Sequence, residues 1–222
     1  MRIKAILAAA AVLIATGCGS LKNYPASALE MAEGGPDYAI YGFEDGTRHD
    51  FQLSTAGDGN SAFTGFVNTQ ERAYKGSRSL RVQCDFNGVD TGMGGLIKKA
   101  YSSPFQDLTG KKITAYIWMP KGSFTEENPY GGSFYFKTGE AYQWYQSEWQ
   151  NLNVPDGPGA GLWTKIEAYS SEFALPPPPY GTGDPITADA LQDVREFGVK
   201  VGQGDGAKNF QGFIYIDSID IK

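Results

Sequence analysis

Leu80, Val82, Cys84 and Phe86 are apolar, and Arg81, Gln83 and Asp85 between them are polar. A period of two puts the two sets on opposite faces of an extended chain, so this stretch predicts a strand buried on one side. Shorter apolar runs recur at Ala39–Phe43, Ala62–Val67, Ile113–Met119, Ser133–Lys137, Leu162–Ala168, Phe197–Val201 and Phe213–Ile221, punctuated by Gly, Asp, Asn and Pro. That spacing is the pattern of an antiparallel sandwich. Thr187–Val194 alone has a helical pattern, with Thr187 placed to cap it. Pro176–Pro179 can only run as extended polyproline II and predicts a rigid surface connection. In the last run Ile214 and Ile216 share one parity while Ile219 and Ile221 have the other. The slip falls at Asp217-Ser218 and predicts a β-bulge. The fold class is all-β, a two-sheet antiparallel β-sandwich of jelly-roll form with roughly nine strands.

The first residues do not share this pattern. Met1-Arg2-Ile3-Lys4 leads into an apolar stretch from Ala5 to Ala15, then Thr16-Gly17-Cys18. Two positive charges, a short apolar segment and small residues at its exit make a secretory signal, and the stretch is too short to span a bilayer. Ala15-Thr16-Gly17-Cys18 resembles the lipobox of bacterial lipoproteins, which implies cleavage before Cys18 and acylation of its thiol. On that reading residues 1–17 are the signal peptide, 18–38 the acylated cysteine and a flexible tether, and 39–222 the folded domain. Each acyl methylene contributes ~0.8 kcal/mol on entering a bilayer, so such an anchor is long-lived. In lipoproteins of this type, Gly19 rather than Asp after the cysteine implies the outer membrane of a diderm bacterium. Cys84 is then the remaining thiol, and no intrachain disulfide is expected.

Composition narrows what the sandwich does. Of 222 residues, 14% are aromatic and 29 are glycine, too rich in Tyr, Phe and Gly for a helical bundle. Lys and Arg total 19 against 25 Asp and Glu, a net charge of −6, so no broad basic surface for nucleic acid is expected. The single histidine, His49, allows no His–His metal site and at most one imidazole base. It lies in Thr47-Arg48-His49-Asp50, with no nucleophile elbow elsewhere to complete a triad. A glycosidase needs two acids roughly 5–9.5 Å apart across the bond. Glu126 and Glu127 are adjacent and point apart if extended. Catalysis is therefore not expected.

An Asp inside an otherwise apolar final strand needs a reason to be there. One reason is calcium, since a bulge can aim Asp217 and nearby carbonyls at one point. Glu44, at the end of the first run, and the turn carbonyls of Ala73-Tyr74-Lys75-Gly76 would complete it. The other is a turn cap or contact with water. The spacing serves both.

Several segments then come in order: Phe43-Glu44-Asp45-Gly46, Ala73-Tyr74-Lys75-Gly76-Ser77-Arg78-Ser79-Leu80-Arg81-Val82, Phe105-Gln106-Asp107-Leu108-Thr109-Gly110 and Trp118-Met119-Pro120. Phe136-Lys137-Thr138-Gly139, Leu162-Trp163-Thr164-Lys165 and the close from Glu196-Phe197-Gly198-Val199 to Ile214-Tyr215-Ile216-Asp217 follow. Together they resemble the β-sandwich carbohydrate-binding modules attached to bacterial mannanases and glucanases, across nearly all of residues 40–222. The resemblance implies a galactose-binding-like jelly roll with a sugar platform on the concave sheet or its rim. It also implies a structural Ca2+ held by the Glu44 and Asp217 side chains with the carbonyls of Lys75 and Arg72. Such modules often carry one binding tryptophan shortly after the first strand and another near the third. This chain instead has Asp50-Phe51-Gln52 and Gly92-Met93-Gly94-Gly95 there.

Sugars offer apolar C–H faces and many hydroxyls, so a site needs flat aromatic plates beside hydrogen-bonding groups. The densest such segment runs from Tyr142 to Gln150. Trp144 is expected to stack on a sugar, with Tyr142 or Trp149 as a second plate and Gln83, Arg81 and Lys137 as hydroxyl partners. Alternation in Ser133–Lys137 puts Phe134 and Phe136 on one face and Tyr135 with Lys137 on the other. Trp118 and Trp163, inside strand patterns, are expected to pack.

The expected function is non-catalytic binding of a polysaccharide or oligosaccharide of β-mannan or β-glucan type. The binder would be a lipoprotein held in the membrane by its N-terminal lipid, with a polysaccharide-degrading enzyme as partner in trans. One alternative is a structural or assembly lipoprotein that docks a protein. The other is a lyase: Tyr135-Phe136-Lys137-Thr138-Gly139-Glu140-Ala141-Tyr142-Gln143 resembles, one residue out of step, the Tyr-Phe-Lys-Ala-Gly-x-Tyr-x-Gln strand of jelly-roll alginate lyases. That family also needs a Gln-x-His motif, and His49 does not follow a Gln in this way.

Overall fold

The alternation at Leu80 folds into a strand, with Leu80, Val82 and Cys84 inaccessible and Arg81, Gln83 and Asp85 facing the other way. It belongs to a computed structural model that describes residues 28–31, 33–54, 62–87, 94–120, 130–152, 162–203 and 210–222. The expected signal peptide and Cys18, together with Gly92-Met93 and Glu126-Glu127, lie outside the described residues.

The strands form two antiparallel sheets, as the pattern predicts. One sheet orders β1 (Ala28–Met31), β10 (Leu162–Tyr169), β6 (Lys112–Trp118), β12 (Gln211–Ile221), β4 (Ser79–Asp85) and β3 (Phe63–Thr69) side by side. The other orders β2 (Gln52–Leu53), β5 (Gly94–Ala100), β11 (Val194–Gln203), β7 (Tyr130–Thr138) and β8 (Gln143–Gln146), with β9 (Gln150–Asn151) also on β7. Most neighbours are distant in sequence, so the pairing is set by non-local contacts. The short helix α1 (Ala188–Leu191) starts where expected, the Thr187 hydroxyl accepting from the Ala190 amide at 3.2 Å. Among the described residues, no helix is long and apolar enough to cross a membrane.

Apolar side chains from both sheets meet in one core. Phe136 stacks on Phe173 with ring centres 4.0 Å apart and planes within 3°, and Phe134 stacks on Phe197. Burying a side chain of this size stabilises by roughly 1.5–3 kcal/mol. Cys84 is part of this core; burial pushes its thiol pKa up and leaves it a packing residue. In β12 the register slips between Asp217 and Asp220, and Ser218 takes a left-handed φ of 47°. That bulge brings both Ile216 and Ile219 inward, against the simple period of two.

Two expectations fail for identifiable reasons, and two elements go beyond the pattern. Ala39–Phe43 makes only a bridge between Tyr41 and Ile219, because Phe43 turns to φ 63° and ends any strand there. Part of the expected tether, Ala28–Met31, is instead an edge strand on β10. The β5 strand escapes the pattern because Leu96 and Ile97, adjacent in sequence, are both buried, one on each face. Trp144 lies in strand β8.

Candidate functional site

Alternation in β7 turns Phe134 and Phe136 into the core and Tyr135 and Lys137 outward. The β11 register sets Gly198 opposite Tyr135 and Glu196 opposite Lys137, while β8 sets Gln146 and Trp144 opposite the same pair. The β5 strand adds Lys98 opposite Gly198 and Leu96 opposite Lys200. Outward residues of four strands therefore share one surface.

Two glycines let rings lie close on that surface. A Cβ on Gly198 would collide with the Tyr135 ring, and one on Gly131 would collide with the Trp149 indole. Above Tyr135 the Trp144 indole stacks at 4.0 Å and 7°. Its Nε1 donates to Gln146 Oε1 at 3.3 Å, which fixes the plate in its plane. Tyr135 itself is fully buried, so it is the support beneath Trp144 and not a contact plate. Its hydroxyl donates to Glu196 Oε1 at 3.1 Å, and Lys137 Nζ lies 3.1 Å from the same oxygen. The buried Glu196 charge is thereby paired and hydrogen-bonded, which offsets its desolvation. Lys137 Nζ is 5.9 Å from the Trp144 ring centre, and Lys200 Nζ is 6.0 Å from that of Trp149. Burial lowers the Lys200 ammonium pKa to about 8. The arrangement thus offers two half-exposed indoles, each with an ammonium group over its ring.

Trp144, Trp149, Tyr135 and Lys137 are brought together as expected; the rest of the expected set is not. Tyr142 stands at the β7–β8 turn with φ 50°, its ring 5.9 Å from the Arg195 guanidinium, which also lies 4.2 Å over Phe105. Arg81 and Gln83 belong to the other sheet, where β12 places Tyr215 and Phe213 opposite them. Arg81 pairs with Glu71 and lies 4.7 Å over the Phe213 ring. The core separates these two from Trp144: alternation assigns a residue to a face of its strand but not to a sheet. Glu196 and Lys200 were missed, although the alternation of Glu196-Phe197-Gly198-Val199-Lys200-Val201 sets them on one face. Lys98 had no such signal, since β5 does not alternate.

Glu44 and Asp217 do close on one segment from two sides. Asp217 Oδ2 accepts from the amides of Tyr74 at 2.7 Å and Lys75 at 3.3 Å, and Oδ1 from that of Ser218 at 2.7 Å. Glu44 Oε1 accepts from the amides of Ser77 at 2.9 Å and Arg78 at 2.8 Å, and Oε2 from the Ser77 hydroxyl. Gly76 permits this: a Cβ there would strike the Glu44 carboxylate, and its φ is 65°. The Arg72 carbonyl accepts from the Ser79 hydroxyl. A calcium ion needs converging oxygens, whereas amide donors meet these two carboxylates. Among the described residues, no three His, Cys, Asp or Glu side chains gather as a metal site. In this structure Glu44 and Asp217 form a backbone clamp on the Tyr74–Arg78 segment, and the Arg72 carbonyl is met by Ser79. Burial pushes the Asp217 carboxyl up to about 8, and Asp37 nearby adds to this, against the pull of the amides.

The clamped segment covers the outer face of its sheet. Tyr74 stacks on Tyr116 at 3.5 Å, Arg72 lies 3.7 Å over Trp118, and Trp163 is inaccessible beside them. Trp118 and Trp163 pack as expected. His49 packs against Tyr41 and Phe43, its Nε2 3.7 Å from Asp45 Oδ1.

No family model matches this chain, and no curated protein matches it. Solved carbohydrate-binding modules share its fold. The CBM28 module specific for non-crystalline cellulose superposes with a TM-score of 0.55 at 14% identity, covering 85% of this chain and 97% of that one. The CBM27-1 module of Caldicellulosiruptor saccharolyticus, in complex with mannohexaose, gives 0.51 at 17% identity, covering 81% and 93%. A module from the β-sandwich superfamily studied for promiscuous specificity gives 0.51 at 21% identity over 84% of this chain. This chain spans 62% of the length of that protein. At these identities the shared property is the β-sandwich itself.

Proposed function

We propose that this protein binds polysaccharide without catalysis, using Trp144 and Trp149 as stacking plates. The observation that carries the reading is the pair of half-exposed indoles on one glycine-floored sheet face, with lysine ammonium groups 5.9 and 6.0 Å from them. Pyranose rings stack by their C–H faces on such plates, and Lys137 and Gln146 stand beside Trp144 to meet hydroxyls. Neighbours of the same fold that take mannohexaose and cellulose support β-linked chains of mannan or glucan type as the general shape of the ligand. Acylation at Cys18 would hold the binder on an outer membrane and present polymer there to a degrading enzyme in trans.

Affinity electrophoresis against mannans, β-glucans, xylans and polyuronates tests this. The chain should be retarded on at least one glycan, and Trp144→Ala and Trp149→Ala should each lose about tenfold or more in affinity with melting temperature nearly unchanged. Migration unaffected by every glycan, or retardation that survives both substitutions, would overturn the reading.

A further inference from the structure

Phe173 and Ile186 pack against the core, and the chain between them is a hairpin pinned along its length. The Ile186 amide donates to the Phe173 carbonyl at 2.8 Å, that of Leu175 to Asp184 at 2.8 Å, and that of Gly183 to Pro176 at 3.1 Å. At the tip the Tyr180 amide donates to the Pro177 carbonyl at 3.1 Å. Gly181 fits so closely that a Cβ there would strike the Pro176 carbonyl oxygen. Four consecutive prolines, Pro176 to Pro179, restrict the backbone further. On this stiff tip the Tyr180 ring is 86% exposed. Folding therefore removes little of its apolar surface from water, and packing does not account for the ring.

The hairpin borders the strand that carries Trp144. Gln146 of β8 exchanges both backbone hydrogen bonds with Ala174, at 2.8 and 3.0 Å, and Ala174 bridges in turn to Pro185. Both bridges are antiparallel. Carried two residues on, their register sets Pro176 beside Trp144 and Gly183 beside Pro176, while Lys137 of β7 stands on the other side of Trp144. The first arm of the hairpin runs antiparallel to β8 and so in the direction of β7, which takes its tip on past Trp144. Along β7, Gly131 lies under Trp149 and Tyr135 under Trp144. These are four residues, or about 14 Å, apart at the usual strand rise. Trp149, Trp144 and Tyr180 thus come at successive levels along one strand direction.

We propose that Tyr180 is a third stacking plate of this site, and that the bound polysaccharide continues past Trp144 onto the hairpin tip. The inference rests on the polysaccharide-binding reading above and adds a residue to it. A polysaccharide is a long, narrow ligand whose rings repeat their C–H faces, so plates in line can each hold one ring. A ring already fixed by its backbone loses little freedom when a sugar stacks on it, which leaves more of the contact for affinity.

Affinity electrophoresis of the full chain in gels of glucomannan, β-glucan, xylan and polyuronate tests this. In the gel that retards the unmodified chain, Tyr180→Ala should lose about three- to tenfold in affinity, the range for one aromatic stacking contact. Tyr180→Phe keeps the ring and should bind as the unmodified chain does. Tyr38→Ala removes an equally exposed tyrosine, 85% accessible and remote from Trp144 in sequence and sheet, and should change nothing. All three should keep their melting temperature, since neither ring is packed. Unchanged retardation of Tyr180→Ala where Trp144→Ala loses it overturns this inference and leaves the polysaccharide reading standing. So does a loss in Tyr180→Phe or Tyr38→Ala as large as that in Tyr180→Ala. Migration that none of these glycans alters overturns both.

Discussion

The two outer faces of this sandwich are built from the same residue types and end in opposite states. On the β6–β12–β4 side, Trp163 and Tyr74 are inaccessible, and Trp118 lies under the Arg72 guanidinium. On the β5–β11–β7–β8 side, Trp144 and Trp149 remain half-exposed on a floor that includes Gly131 and Gly198. The difference is the cover. A segment around residues 72–78, gripped by Asp217 and Glu44, lies across the first face. Aromatic content alone therefore does not mark a binding surface; among the described residues, close-approach glycines without a clamped segment across them distinguish the open one.

The comparison breaks most sharply on its tryptophans. Trp163→Ala should cost about 3–5 kcal/mol of stability, the price of an emptied buried aromatic site, measured by urea unfolding. Trp144→Ala should cost well under that and act on glycan affinity instead. Equal destabilisation by the two would erase the distinction between packed and open faces.

The clamp gives the next largest effect. Asp217 has a folded-state pKa of about 8, above the ordinary 3.8. Its contribution to stability is therefore greatest below about pH 4 and is lost as pH rises through 8. Asp217→Asn should flatten that slope in a series of melting temperatures against pH. The same series with calcium or a chelator reads the metal question directly. A clamp of amides alone predicts coincident curves, and a rise with calcium would show a bound metal through linkage.

The smallest effect is also the most discriminating control. Arg81→Ala and Gln83→Ala should leave glycan retardation unchanged, and Gln83→Ala, at an exposed position, should alter stability by no more than about 0.5 kcal/mol. Loss of retardation in either would move the site to the opposite sheet.

Much of this fold was legible because its signals are local. Alternation at Leu80–Phe86, the parity slip at Asp217-Ser218 and the cap at Thr187 each depend on a few consecutive residues, and each appears in the structure where expected. The Tyr135–Lys137 alternation likewise predicted which side of β7 turns outward. Lys98 was hidden because β5 is buried on both faces, and Arg81 and Gln83 were misassigned because their outward parity is the same in either sheet.

The sequence by itself determined an all-β sandwich, a bulged final strand and a Trp-bearing segment next to an outward Tyr and Lys. Only the tertiary structure decided that β11 lies between β5 and β7, gathering Lys98, Glu196 and Lys200 around those tryptophans, and that an amide clamp closes the other face. Periodicity fixes the direction of a side chain relative to its own strand. Which strands become neighbours depends on contacts between residues far apart in the chain, and no local pattern carries that information.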